Sequence, residues 1–492
     1  MHGRLAFGAA AAGAAFCLVS AGLEPPLHAQ DTPAGVTFAR DVAPIIFRSC
    51  TSCHRSGEAA PFPLVSYEDV RKRARLVASV TEAGRMPPWK AAPGDYEFRN
   101  DRRLSRDDVG TLQRWVDAGM PEGDPRVLPA LPAFVDGWQL GAPDLVVSMK
   151  APFSVPAYGR DVYRNFVVPL NLTQDRWVRA IDFRPSARDV VHHSLFFLDD
   201  TGAARLRDEL DPQPGFRGAM GLVGSNLAGG GRDALMRLFA FLGRGGATQE
   251  DVAAIERVGG NLGGWALGGQ PHPLPEGLAY FVPKRSDLIL STHFHPSGRV
   301  EQETSTVGLY FADQPPTRAF TAIALPPLFG ALTGMVIPAG EKAFTLADSF
   351  VLPVDVKAFA VGGHAHYLGK AMTLTATTPE GELKRLFAID DWDFSWQEQY
   401  QFKEFVPLAK GTRLDMSISY DNSAGNPRNP NNPPQRVRWG EQSTDEMGGI
   451  GLLVVAASDD DLLQLRLGYA AHLRAAALES PVLRRLLEPR NR

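Results

Sequence analysis

Three short motifs, His192-His193, His293-Phe294-His295 and His364-Ala365-His366, hold six of the chain's 11 histidines. Met447 follows them in Ser443-Thr444-Asp445-Glu446-Met447-Gly448. Imidazole nitrogen and thioether sulfur together are a donor set that suits copper. Upstream, Cys50-Thr51-Ser52-Cys53-His54 has the spacing that attaches a c-type haem. Haem iron and copper each pass one electron at a time, so the pairing points to redox chemistry.

In the haem motif, thioether links to Cys50 and Cys53 would fix the porphyrin, and His54 would be the proximal axial ligand. A zinc or redox role for the same cysteines is the alternative. A structural zinc site needs four ligands, and the chain has a single CxxC. For the sixth ligand, Met86 lies in Gly84-Arg85-Met86-Pro87-Pro88-Trp89, where the prolines force an extended loop. Met120, after the third expected helix, is its competitor. Methionine ligation would raise the potential.

For the histidine motifs the argument runs through strand geometry. Residues i and i+2 share a face, so His364 and His366 can grip one metal from one strand, and His293 and His295 also share a face. Adjacent His192 and His193 point to opposite faces of a flat strand. Both can reach one metal only at a bend or a strand end. Hydrogen-bonded core or surface histidines are the plainer alternative for each pair.

The elements that must position these groups are legible in outline. Residues 36–125 read as a small helical unit. Phe38 to Arg48 has helical apolar spacing with a start or break at Pro44. A second helix runs from about Ser66, with Asp69 as its capping partner, to about Ala83. A third starts at Ser105 with Asp108, carries Val109, Leu112, Trp115 and Val116 on one stripe, and stops at Gly119. Residues 126–142 are a proline-bearing linker. Beyond it, Phe166–Leu170, Trp177–Ile181, Leu288–His293 and Val307–Phe311 are short strand-like runs separated by turn signals, and this texture continues to about Val455. β-Sandwiches are expected rather than alternating strands and helices. A helical, glycine-rich insertion over 203–262 includes Asp233–Leu242 and Thr248–Val258, and a helical tail occupies 459–492.

Bulk properties narrow the class. A hydrophobic content of 44%, a charged content of 22% and a net charge of −4 are those of a globular chain and give no reason to expect nucleic acid or an acidic membrane as a partner. Residues 1–29 read as an export signal. Arg4 starts it, Leu5 to Leu23 is apolar, and Leu27-His28-Ala29 precedes the expected cut. A periplasmic or secreted location follows, with no stable membrane insertion. Cys17 leaves with the signal, so no disulfide remains beside the haem cysteines, and stability must come from core packing.

Taken together, Val190-Val191-His192-His193, Leu290-Ser291-Thr292-His293-Phe294, His364-Ala365-His366-Tyr367-Leu368-Gly369-Lys370 and Ser443-Thr444-Asp445-Glu446-Met447 resemble the type II, ascorbate-dependent copper monooxygenases. That family includes peptidylglycine α-hydroxylating and dopamine β-monooxygenases. The likeness covers about residues 140–460. The segment before it resembles a class I monohaem cytochrome c. The resemblance implies a multidomain chain: a small all-α haem domain, then two all-β jellyroll-like sandwiches over 143–318 and 319–458. It implies two copper ions and one covalent haem c. His192, His193 and His293 would hold an electron-storing copper, and His364, His366 and Met447 the oxygen-binding copper where catalysis occurs. His295 has no ligand role in the family.

The implied reaction is R–H + O2 + two electrons + two protons giving R–OH + water, on a small organic substrate, with electrons from an ascorbate-like reductant or a periplasmic redox protein. This chain also departs from the family. Positions that grip a peptide carboxylate in the peptide-processing member are Gly362, Gly449 and Gly451 here, and the family's disulfides are impossible with this cysteine count. Trp392, Phe394, Trp396 and Tyr400 form an aromatic cluster that lines a substrate pocket or fills core. Two other classes stand beside the monooxygenase: a haem/copper electron-transfer or copper-binding protein, and a zinc or iron enzyme. The latter needs carboxylates near the histidines, where only Asp445 and Glu446 lie close in sequence.

Overall fold

The computed structural model describes residues 35–217, 261–482 and 484, apart from 57, 59, 135, 136, 267, 268 and 441. The export signal expected over 1–29 and the helices expected over 233–242 and 248–258 lie outside the described residues. The chain is mostly β, in sandwich domains, with a few helices.

The N-terminal helices form where the sequence signals place them. A five-residue turn of π-helix, Phe38–Val42, passes into α1 (Ala43–Ser49), with Pro44 in its first turn. Proline is tolerated there because its missing N–H has no intrahelical partner anyway. Helix α2 (Tyr67–Glu82) is capped by Ser66, which accepts from the Asp69 N–H. Helix α3 (Arg106–Asp117) has the full reciprocal box between Ser105 and Asp108. Phe38, Ile46, Val70, Leu112 and Trp115 are buried among these helices.

The stretch between α2 and α3 leaves this unit, although it lies within the segment read as helical. Trp89, Ala91 and Phe98 are buried in the core of the C-terminal sandwich. Ala91 bridges to Ile389 and Phe98 to Phe402. Arg102 anchors the far end through Glu398 (2.6 Å). The apolar residues at 89, 91 and 98 thus complete a core some 300 positions away.

The first sandwich comprises β1 (Leu145–Ser148), β2 (Phe153–Val155), β3 (Val162–Pro169), β4 (Arg176–Arg184), β5 (Val191–Asp199), β6 (Asn261–Ala266), β7 (Tyr280–Val282), β8 (Asp287–Phe294), β9 (Glu301–Glu303) and β10 (Thr306–Phe311). Its main sheets have the orders β1-β10-β4-β7 and β3-β8-β5-β6, and β2 pairs with β9. A short helix, α4 (Ala203–Leu210), follows β5.

The second sandwich comprises β11 (Phe320–Leu325), β12 (Val336–Ile337), β13 (Phe344–Val351), β14 (Val356–Ala365), β15 (Gly369–Thr377), β16 (Leu383–Ile389), β17 (Gln399–Leu408), β18 (Arg413–Tyr420), β19 (Val437–Arg438) and β20 (Gly448–Ala456). Its main sheets are β11-β20-β14-β17 and β13-β18-β15-β16, with β12 paired to β19. Helix α5 (Asp459–Glu479) follows, capped by Ser458. A separate apolar cluster of Leu278, Phe359, Ala360 and Val455 joins residues of both sandwiches. Among the described residues no helix is long and apolar enough to cross a membrane.

Phe98 is 7% exposed and stacks on Phe402 at 5.1 Å. Phe98→Ala is expected to destabilise the protein by about 3–5 kcal/mol, the usual cost of emptying a buried aromatic site. Denaturant unfolding measures this, and a loss below 1 kcal/mol would mean that the segment merely lies on the sandwich.

Candidate metal centres

The first centre is built at one end of the β3-β8-β5 sheet. His193 on β5 pairs with His293 on β8, and the register slips between Val191 and His193. That bulge puts His192 out of the regular alternation, which is how two adjacent histidines come to face one point. The donor atoms of His192, His193 and His293 all lie within 4.8 Å of one another. Nδ1 of His192 is 3.1 Å from Nδ1 of His193. Two nitrogens on one ion with bonds of about 2.0 Å in a tetrahedral site sit about 3.3 Å apart.

The protonation pattern also suits a metal. His293 is 1% exposed, and its Nε2 meets Asp161 Oδ2 at 2.9 Å. Its Nδ1 is buried and has no hydrogen-bond partner. An orphaned imidazole nitrogen inside a three-histidine cluster is the donor a cation would take, with Asp161 fixing the tautomer from behind. Tyr163, paired with His293 across β3 and β8, stacks flat on its ring at 4.3 Å. Burial lowers the His192 pKa to about 3 and drives that of His193 well below its ordinary value. Burial lowers His293 too, against the opposing pull of Asp161. These imidazoles are neutral, as ligands must be.

The second centre lies on the β14-β20 pair. His364 pairs with Gly449 and Ala365 with Gly448, so His366 and Met447 are the first residues beyond the paired ends of the two strands. His364 Nδ1 contacts Gln397 Oε1 at 2.6 Å, and His366 Nδ1 contacts the Asp445 carbonyl at 3.2 Å. Each contact requires N–H at Nδ1 and leaves Nε2 as a lone-pair donor. The two rings are 5.2 Å apart and nearly perpendicular. Met447 is 6% exposed and His366 2%. Burial lowers the His364 pKa to about 4 and that of His366 well below its ordinary value.

Glu446 holds this centre together from behind. Fully buried, it accepts from the backbone N–H groups of His366 (2.6 Å), Met447 (2.9 Å) and Leu368 (3.0 Å). One carboxylate thereby ties the β14 end to the residue before β20. Burial pushes its carboxyl up to about 8, against the pull of those N–H groups.

Phe394, in the β16–β17 connection, lies between the two centres. Its ring is 5.1 Å from that of His192, 5.7 Å from His293 and 5.5 Å from His366. The aromatic cluster therefore divides. Tyr400 packs with Trp89 and Phe98 in the core, Trp392 donates from Nε1 to the His366 carbonyl (3.1 Å), and Phe394 faces the metal-binding groups. His295 turns its Nδ1 to Asp161 Oδ1 (2.9 Å) and stays outside the triad.

In the helical unit, the chain turns tightly after α1. The His54 N–H donates to the Cys50 carbonyl (2.9 Å), which brings Cys50, Cys53 and His54 onto one turn. His54 Nδ1 meets the Phe62 carbonyl at 3.0 Å, leaving Nε2 for an axial bond. Burial pushes the Cys50 thiol up to about 12. Cys53 lines a small cavity shared with Arg184, Arg188, Trp265 and Gln270 of the first sandwich. Met86 follows α2 and is half-buried, whereas Met120 packs against the helical core.

Sequence spacing brings forward the ligand candidates but not Asp161, Gln397 or Tyr163, which reach the site from distant strands and loops. No protein-family model matches the chain, and no curated protein matches it. Among solved structures, it is similar to viral coat proteins. The VP2 subviral particle of infectious bursal disease virus is 8% identical over 69% of this chain and 77% of that one, with a TM-score of 0.18. VP54 of PBCV-1, fitted into a reconstruction of the virophage Sputnik, is 6% identical over 66% and 96%, with a TM-score of 0.20. Superpositions this poor carry no argument about fold or function.

The lowered histidine pKa values predict how metal enters. Three ordinary imidazoles at pH 6 would release about two protons on binding a metal, because their pKa is about 6.5. Burial lowers His192 to about 3 and His193 well below its ordinary value, so these two are already deprotonated at that pH. Calorimetric copper titration at pH 6 in buffers of different ionisation enthalpy is expected to show release below about one proton from the first centre. Release of two protons would contradict the assignment.

Proposed function

We propose that the chain is an exported, copper-dependent monooxygenase that hydroxylates an aliphatic C–H bond of a small organic molecule with O2. The observation that carries this reading is the pair of donor groups: three clustered histidines on one sandwich, and His364 and His366 with Met447 near them in the fold on the other, with Phe394 touching His192, His193 and His293 of the first and His366 of the second. The residues fit copper. His293 Nδ1 is buried and unpartnered, and His364 and His366 each donate from Nδ1, which leaves the lone pair on Nε2. A thioether beside two imidazoles favours Cu(I), whereas a set of three imidazoles suits exchange between Cu(I) and Cu(II).

The two coppers and a haem c on Cys50, Cys53 and His54, with Met86 as sixth ligand, would supply the redox chemistry: single electrons through the haem and one set of histidines, dioxygen binding at the other. The protein's own groups set the stage for it. Asp161, Gln397 and the Asp445 carbonyl fix tautomers, and Glu446 fixes the backbone that carries His366 and Met447. Gly362, Gly449 and Gly451 share the sheet face of His364. A Cβ on Gly451 would meet no atom within 4 Å, whereas one on Gly449 would meet the Leu325 carbonyl at 3.3 Å and one on Gly362 the Glu398 carbonyl at 3.5 Å, so the open space is at Gly451, and none of the three positions brings a charge. An uncharged substrate fits this face better than a carboxylate does. An ascorbate-like reductant or a periplasmic redox protein would be the outside electron donor. On this reading the helices within residues 36–125, without the 89–102 stretch that packs on the second sandwich, form a cytochrome c-like domain and the sandwiches are jellyroll-like.

Metal analysis of protein matured in a periplasm with copper supplied is expected to give two coppers per haem, one of them lost in Met447→Ala. One copper or none, or stoichiometric zinc, would sink the proposal. A second test asks whether the haem feeds electrons to the copper. Reduced, copper-loaded protein should oxidise its haem on mixing with O2. A haem that stays reduced while copper oxidises would disconnect the two.

A further inference from the structure

We propose that Asp161 and Ser443 form a positioning link between the two donor sets, so that filling the histidine triad raises the copper affinity of the His364/His366/Met447 set, and the reverse. This rests on reading both sets as copper centres.

Asp161 immediately precedes β3, beside the end of β8 that carries His293. Its side chain is 10% exposed, and both of its oxygens are engaged. Oδ1 meets His295 Nδ1 at 2.9 Å. Oδ2 meets His293 Nε2 at 2.9 Å and accepts from Ser443 Oγ at 2.8 Å. His293 belongs to the first sandwich, and Ser443 to the turn of the second that ends in Met447. Each oxygen is thus tied to a histidine of the first sandwich, and Oδ2 to the second sandwich as well.

Two backbone hydrogen bonds tie the Ser443 turn. The Asp445 N–H donates to the Gln442 carbonyl (2.8 Å), and the Gly440 N–H to the Glu446 carbonyl (3.1 Å). Within it, the Asp445 carbonyl sets the His366 tautomer and Glu446 holds the N–H groups of His366 and Met447. From a metal on His293, the path to the second set is thus one imidazole, one carboxylate, one hydroxyl and one hydrogen-bonded turn. A cation on Nδ1 makes the opposite Nε2–H a stronger donor to Asp161. That fixes the carboxylate, which fixes the Ser443 hydroxyl and, with it, the turn. Phe394, touching His192, His293 and His366, makes a second contact between the same groups. Coupling in binding free energy is necessarily reciprocal.

The test uses the full chain with its haem and titrates cuprous ion against a chromophoric competing chelator. The affinity of the Met447 set is compared with the triad intact and with the triad crippled by His193→Ala, which leaves Asp161 and its partners untouched. We expect His193→Ala to weaken the Met447 set at least about fivefold, the lower end of ordinary allosteric coupling. In a Ser443→Ala background that factor should fall below about twofold, and Ser443→Thr, which keeps the hydroxyl, should restore it. The same factor in all backgrounds, or none in any, overturns the link while leaving the two-copper reading in place. A wild-type chain that takes up fewer than two coppers overturns that reading and the link together.

Discussion

An imidazole held inside a protein has two nitrogens to account for, and here the fold commits one of them and leaves the other. His293 spends Nε2 on Asp161, His364 spends Nδ1 on Gln397, and His366 spends Nδ1 on the Asp445 carbonyl. Burial keeps the rings neutral, so each presents a lone pair rather than a charge. The placement of the strands, the bulge before His193 and the buried Glu446 all serve that arrangement. Without a cation the cluster is costly, since a buried unpaired nitrogen such as His293 Nδ1 forfeits its bonds to water. With one, the same atoms become a preorganised ligand set.

The two sandwiches contribute unequal sets, and the contacts between them include the candidate ligand groups. Phe394 and Ser443 reach from the second sandwich to the triad of the first. The apolar cluster of Leu278, Phe359, Ala360 and Val455 supports the junction elsewhere. Residues 89–102 then tie the helical unit to the second sandwich through Phe98 and the Arg102–Glu398 pair, one residue from Gln397. The helical unit, the junction and the His364 ligand are thereby mechanically continuous.

Much of this was legible in the sequence, for identifiable reasons. The caps at Ser66 and Ser105 are local chemistry, and both helices start there. The short apolar runs Leu288–His293 and Val307–Phe311 are strands buried on both faces, which is why they read as nearly continuous apolar segments. The candidate ligands stood out because histidine pairs and a methionine in such contexts are rare. The adjacent pair at 192 and 193 raised a geometric difficulty that only a bend could relieve, and the bulge relieves it. Other features have no local signal. Asp161 lies 132 positions from His293, and Gln397 lies 33 from His364. Trp89 and Phe98 show no periodicity that separates them from the helical unit they leave. Such partners are chosen by tertiary packing, which a single sequence does not print.

The most direct measurement is X-ray absorption at the copper edge of the reduced, fully loaded protein. The account predicts imidazole nitrogen around every copper and sulfur around half of them, with the sulfur signal absent in Met447→Ala. Sulfur missing from the wild-type spectrum, or persisting unchanged in that variant, would contradict the assignment of two unlike copper centres.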